Sequence, residues 1–174
     1  MRLHHNEAIN GRGSFGLMAG IKMSGANYLI VVSDIPNQAS VTRALDIARF
    51  LFAQDTWVFP EYANTHKLRL GDRLIVYIAR PTSAFVAQAT IGSEPSPIDG
   101  KLRTELNRLG LVWFTRQVKI NAKKILVPPM PIKPMIPRLH FVTDKKNYGL
   151  ALRQGLRRLP PEDAELILRR SGKI

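Results

Sequence analysis

The chain contains no cysteine, which excludes disulfides, thiolate metal sites and cysteine nucleophiles and gives no sign of an oxidising compartment. No apolar run approaches the roughly 18 residues that cross a bilayer as a helix. The N-terminus lacks the continuous apolar core of a secretion signal, so a cytoplasmic protein with no membrane partner is the expectation. The common enzyme motifs are missing too. There is no glycine-rich phosphate loop, no pair of histidines at metal spacing, and no serine elbow with a histidine and an acid in recognisable context. His66 and His140 stand singly beside apolar strands, and the adjacent His4-His5 has no further partner, so all four read as packed or solvated rather than as ligands. Glu94 and Asp99 form a carboxylate pair only in name, in a proline-rich loop with nothing to tune them. The expectation is a chain with no catalytic residue, no metal and no cofactor.

Acids are scarce as well: 13 against 26 Lys and Arg, for a formal charge of +13. The excess is not spread evenly. Residues 1–100 carry nine Lys or Arg against eight acids, and residues 101–174 carry seventeen against five. A basic excess confined to one half is the footprint of a polyanion binder, nucleic acid first and an anionic membrane surface second.

What is present organises around residues 66–91. Gly71 and Asp72 supply turn chemistry, since glycine accepts a positive φ and aspartate bonds back to nearby backbone. Residues 73–79 are nearly all apolar and suit a strand buried on both faces. Residues 81–83 break the pattern, and Phe85, Ala87, Ala89 and Ile91 then alternate with Val86, Gln88 and Thr90, a second strand. The pair reads as a hairpin, either at the centre of a small barrel or in an ordinary α+β domain.

Residues 1–26 hold five glycines and no sustained period, which predicts a flexible leader, with Met18 and Met23 as later candidate starts. Residues 28–32 form a short strand that stops abruptly at Ser33-Asp34. Residues 37–52 read as a helix with Ser40 as candidate cap and Val41, Ala44, Leu45, Ala48, Leu51 and Phe52 as its core stripe. Trp57, Phe59 and Tyr62 cluster around Pro60 on an irregular segment, where they either join the core or line a pocket. Residues 92–108 are a long connection with one helical turn near 102–109. Residues 111–121 form a strand with Val112, Phe114, Val118 and Ile120 on its apolar side and Arg116 as the exception. Five prolines from Pro128 to Pro137 fit an edge strand running into a turn. Pro160-Pro161-Glu162-Asp163 opens a terminal helix that Arg169-Arg170 closes, in accord with the helix dipole.

This order of elements resembles the EVE domains of the PUA-like superfamily, relatives of the YTH readers of methylated adenine. The match is carried by Phe141, Asp144, Lys145 and Lys146 at a late corner, by Leu159, Pro160, Glu162 and Asp163 at the last helix, and by Leu70-Gly71-Asp72 and Ser93-Glu94-Pro95 in the middle. It covers about residues 28–168. The resemblance implies an α+β fold, a small PUA-like β-barrel of about five to six strands with flanking helices, in a single domain over residues 27–172. It also implies a pocket at the barrel mouth for a flipped or modified base. By that resemblance Trp57 is the stacking platform, Ser33 and Asp34 read the base edge, and Asp144 is the acidic position of the late corner. Lys145, Lys146, Arg153, Arg157 and Arg158 are expected on the phosphates, adding affinity with little sequence information. The expected loop wall, residues 94–108, has no aromatic, so Tyr62, Trp113, Tyr148 or an aliphatic group is left as the second wall. The partner implied is DNA or RNA. The alternative is a backbone-driven RNA binder that uses the basic C-terminal half without a base pocket.

Overall fold

A computed structural model describes residues 25–36 and 41–171. The predicted hairpin is its centre. Strand β5 (Arg73–Ile78) pairs antiparallel with β6 (Ala84–Ile91), and every β5 residue after Arg73 is buried. Its side chains alternate between two cores, Leu74, Val76 and Ile78 on one face and Ile75 and Tyr77 on the other, and its second edge is paired by β1 (Asn27–Val32), which runs parallel to it in register from Asn27 beside Arg73 to Val32 beside Ile78. A β-bulge at Val86 explains why both Val86 and Ala87 turn to the same core where strict alternation would have parted them.

Two short strands, β2 (Ile35–Pro36) and β3 (Val41–Thr42), follow β1 and pair with each other. Helix α1 (Ala44–Ala53) buries Ala44, Ile47, Ala48, Leu51 and Phe52. It starts later than the periodicity predicts, and Val41 is half exposed on β3 instead of in the stripe. Candidate cap Ser40 lies outside the described residues. Asp34 does the capping from a distance: its carboxylate accepts the Ala44 N–H at 2.9 Å and pairs with Arg43 at 2.8 Å.

The aromatic segment is strand β4 (Thr56–Pro60), with Trp57 and Phe59 buried. A two-residue strand, β7 (Ser96–Pro97), precedes helix α2 (Gly100–Arg108), which is a full helix where a single turn was predicted. Asp99 caps it by accepting the Leu102 N–H at 2.8 Å, which gives that acid a structural role. Strand β8 (Phe114–Pro131) is longer than expected. Its first part, up to Lys119, pairs with β4 and β7 and its second, from Ile120, with β6; Ala122, at a left-handed φ of 45°, lies at a register shift within the β6 pairing. Val112 and Trp113 precede the strand and are exposed. The prolines at 128, 129 and 131 fall on the part of β8 that has no outer neighbour, where a missing N–H costs no ladder bond.

Strand β9 (Leu156–Arg158) pairs antiparallel with β1, and helix α3 (Pro161–Ser171) ends the described chain. The hydrogen-bonded path is β4-β8-β6-β5-β1-β9, and the sheet coils into a half-barrel. One core lies inside it, with α1 and Trp57, Phe59, Val76 and Ile91. The other lies outside, where Leu29, Ile75, Tyr77 and Phe85 meet the 3-10 turn at Lys133–Arg138, the segment around Phe141 and α3. No described helix is long and apolar enough to cross a membrane. The leader lies outside the described residues except for Gly25 and Ala26, and Ala26 donates its N–H to Asp72 at 2.8 Å.

Candidate functional site

Parallel β1 and β5 end on the same side, and a cleft of 1090 Å³ opens over their C-terminal ends. Such strand ends leave backbone and loop groups free to converge on a ligand. The cleft has two halves, set apart by the end of β1. The inner half continues the core of the half-barrel: α1 contributes Ile47 and Leu51, β4 contributes Trp57 and Phe59, and the approach to β8 contributes Trp113 and Phe114. Tyr62, 82% exposed, and Trp113, 41% exposed, form its rim. The outer half lies over the other core, with Tyr77, Arg80, Ser83, Lys146, Tyr148 and Arg153 among its residues.

Among the described residues, no Asp, Glu or His lines either half. The amides of Asn64, Asn147 and Gln154 and the hydroxyls of Ser33, Ser83, Tyr62, Tyr77 and Tyr148 are side chains there that can both donate and accept hydrogen bonds. Arg80, Lys146 and Arg153 are exposed and carry no ion pair with a described carboxylate.

Of the four residues expected at the base, Ser33 is exposed at the end of β1 and lines the cleft. Trp57 lines it too, but only 3% of it is exposed, and its ring meets that of Phe52 edge to face at 6.0 Å. It forms a floor, and the rings that stand free are Tyr62 and Trp113. Asp34 and Asp144 do not line the cleft, because both carboxylates are engaged with backbone. Asp34 holds Ala44 and Arg43 as described. Asp144 accepts the N–H groups of Lys146 and Asn147 at 3.0 Å each and the Asn147 amide at 2.8 Å. These bonds to the charged form depress both acids below the ordinary carboxylate value, the Ala44 N–H leading at Asp34 and the Asn147 N–H at Asp144. Asp144 thereby shapes the segment that presents Lys146, Asn147 and Tyr148 to the cleft.

The five expected phosphate contacts also divide. Lys146 and Arg153 line the cleft. Lys145 donates to the Leu139 carbonyl at 2.5 Å. Arg157 bonds to Gln154 and the Phe141 carbonyl and lies over the Phe141 ring, and Arg158 is exposed on β9. All three candidates for a second aromatic wall, Tyr62, Trp113 and Tyr148, border the cleft.

Sequence reasoning missed Arg80. A signal was there: Arg80 ends the buried β5 run directly before Pro81, as Ser33 ends β1, and the two strands are parallel neighbours. It also missed Tyr77 and Ser83, both of which line the cleft, with burial pushing the Tyr77 phenol above its ordinary value. Among the described residues no three His, Asp or Glu gather to hold a metal.

No family model matches the chain. A UPF0310 protein of Pyrococcus abyssi is 25% identical over 124 residues, covering 66% of this chain and 84% of the relative. Human THYN1 protein, solved in complex with 5-methylcytosine-containing DNA, superposes with a TM-score of 0.55 at 16% identity, over 86% of this chain and 99% of that one. The YTH domain of the Zygosaccharomyces rouxii MRB1 protein, solved with N6-methyladenosine RNA, gives a TM-score of 0.60 at 13% identity, over 87% and 89%. The half-barrel with its flanking helices is thus similar in fold to these domains, consistent with the resemblance of the sequence to EVE-type, PUA-like domains.

Proposed function

We propose that this protein is a non-enzymatic nucleic-acid-binding module that accepts a flipped or modified base in the inner, aromatic half of the cleft. One observation carries the reading: a cleft at the mouth of a half-barrel whose described lining has aromatic walls, three cations and no carboxylate. A base offers two flat π-faces and an edge of donors and acceptors, and the inner half offers the complement, with Trp113 and Tyr62 for a face and Ser33 and Asn64 for an edge. Two proteins of the same fold were solved with methylated DNA and methylated RNA, which supports nucleic acid as the partner class. A cleft whose described residues include no acid, histidine or metal-ligand cluster supports binding rather than catalysis.

The test is tryptophan fluorescence during titration with short single strands that differ in one plain or methylated base, for wild type, Trp113→Phe and Trp57→Phe. Stacking is worth about 1–3 kcal/mol per base on alanine substitution, so Trp113→Ala is expected to weaken the preferred strand by about 5- to 140-fold. Quenching that depends on the base and persists in added salt supports the pocket. An identical response to every strand that vanishes with salt refutes it.

That second outcome would favour a backbone-driven RNA binder, for which Lys145 and Arg158 are the supporting observation, since both are exposed cations of the basic half that lie outside the cleft. Charge reversal at Arg158 would then cost more than loss of Trp113.

A further inference from the structure

Two amides line the outer half of the cleft, and each is held by one end. Asn147 gives an amide N–H to the Asp144 carboxylate at 2.8 Å, and Gln154 accepts the Arg157 Nε–H on its Oε1 at 3.1 Å. The partners decide which way the amides face, because an ionised carboxylate can only accept and a guanidinium can only donate. What remains of Asn147 is its Oδ1, an acceptor, and what remains of Gln154 is its Nε2, a donor. Neither atom has a partner among the described residues.

The backbone beneath them is fixed as well. Asp144 accepts the N–H groups of Lys146 and Asn147, the Leu150 N–H turns back to the Asn147 carbonyl at 2.9 Å, and the Gly155 carbonyl accepts the Val31 N–H at 3.1 Å. Arg157 is braced in turn, donating to the Phe141 carbonyl at 3.2 Å and lying over the Phe141 ring. The acceptor and the donor thus flank the 3-10 turn Tyr148–Leu152 in orientations set before any ligand arrives, which lowers the ordering cost of using them. A cation holds a phosphate whatever base it carries, so the lysine and arginines nearby read no sequence. A fixed acceptor with a fixed donor can, because base edges set N–H donors beside oxygen or nitrogen acceptors. There is room for a ring to be read: the cleft of 1090 Å³ exceeds the ~300–1,000 Å³ of a site for one drug-sized ligand, and Tyr77 and Leu152 give its outer half an apolar floor.

We infer that Asn147 and Gln154 read the edge of a second base, the neighbour of the base held in the inner half, so that the protein selects its target by sequence context. The inference rests on the proposed base pocket and deepens it: the ligand is a two-base step within a strand, one ring in each half of the cleft. Asn147 and Gln154 are its specificity-determining residues.

The experiment uses the full chain and short single strands carrying N6-methyladenine or 5-methylcytosine, with thymine on both sides in one series and adenine in another. Either neighbour offers a donor with an acceptor next to it. One neighbour at a time is replaced by a nonpolar ring of the same shape, difluorotoluene for thymine and methylbenzimidazole for adenine. Binding is measured for wild type, Gln154→Glu, Gln154→Met and the exposed control Lys133→Gln. The expected result is one sensitive side, where the mimic weakens wild-type and control binding about fivefold or more in at least one series, against less than about twofold on the other side. Gln154→Glu keeps an oxygen for Arg157 and turns the donor into an acceptor, and Gln154→Met removes the amide without adding charge. In both variants natural base and mimic are expected to bind within about twofold of each other. A uniform loss from altered charge or folding cancels in that ratio. Equal binding of base and mimic on both sides in both series, or a full preference kept in both Gln154 variants, would overturn the second subsite while a preference for the methylated base left the pocket standing. A neighbour preference that persists when plain strands bind as well as methylated ones would refute the modified-base reading and support the second subsite.

Discussion

Asp163 is fully buried, and its carboxylate joins the last helix to the corner before the cleft. One oxygen accepts the His140 N–H at 2.7 Å and lies 3.0 Å from His140 Nδ1, while the other accepts the Phe141 N–H at 2.7 Å. Replacing Asp163 by Ala orphans two backbone donors, one of them buried. A donor left unsatisfied costs about 1–3 kcal/mol, so Asp163→Ala is expected to lose about 2–5 kcal/mol, a large share of the 5–15 typical of a domain. Asp163→Asn keeps one acceptor and sets an amide N–H against the other donor, and is expected to lose about half as much. With a urea slope of about 2 kcal/mol/M, the alanine variant should unfold roughly 1–2.5 M earlier with an unchanged slope. Hydrogen exchange would show the loosening first in the segment from Lys146 to Gln154, which that corner carries to the cleft. A urea midpoint within about 0.3 M of wild type would refute the view that this buried acid pins the corner.

Other outcomes follow from the same structure. Trp57→Ala removes a ring that is 3% exposed and should cost about 3–5 kcal/mol of stability, whereas Trp113→Ala, at a rim 41% exposed, should cost less than about 1; equal melting temperatures would contradict Trp57 as core. A Cβ on Gly25 would overlap the Gly71 carbonyl oxygen, so Gly25→Ala is expected to lose about 1–3 kcal/mol by denaturation, and a neutral result would disprove that close approach. Asp34, Asp99 and Asp144 are all held below the ordinary 3.8 by hydrogen bonds to their charged forms. Their folded values lie below their unfolded ones, so their support is complete above about pH 4 and is lost as pH falls through the depressed values. Melting temperature should therefore fall from pH 5 to pH 2, less steeply in Asp99→Asn, and a flat profile would count against these caps.

The residues that were legible in the sequence are those whose role is local. Gly71 has the positive φ its turn needs, Asp72 bonds back to the Arg69 N–H, and the acids and arginines of α3 stand where the helix dipole favours them. The apolar run of β5 reads as buried because each of its two faces meets a core. Misreadings arose where a distant partner decided the outcome. Asp34 follows a strand end and so reads as a free polar group, but Ala44 takes it. Asp99 looks idle in a loop until α2 is seen to start from it. Arg80 belongs to the cleft only because β1 runs parallel to β5, a pairing that no short-range pattern encodes.

That parallel pairing bears on the order of folding. A parallel pair needs a crossover, and here everything from β2 to the turn at Gly71 must be looped out before β1 meets β5. The partner that covers the other edge of β1, β9, arrives from the far end of the chain. Contacts of such long separation close late, after the local hairpin of β5 and β6. The cleft thus comes into being with the last strands to dock, and no half of the chain made alone would possess it.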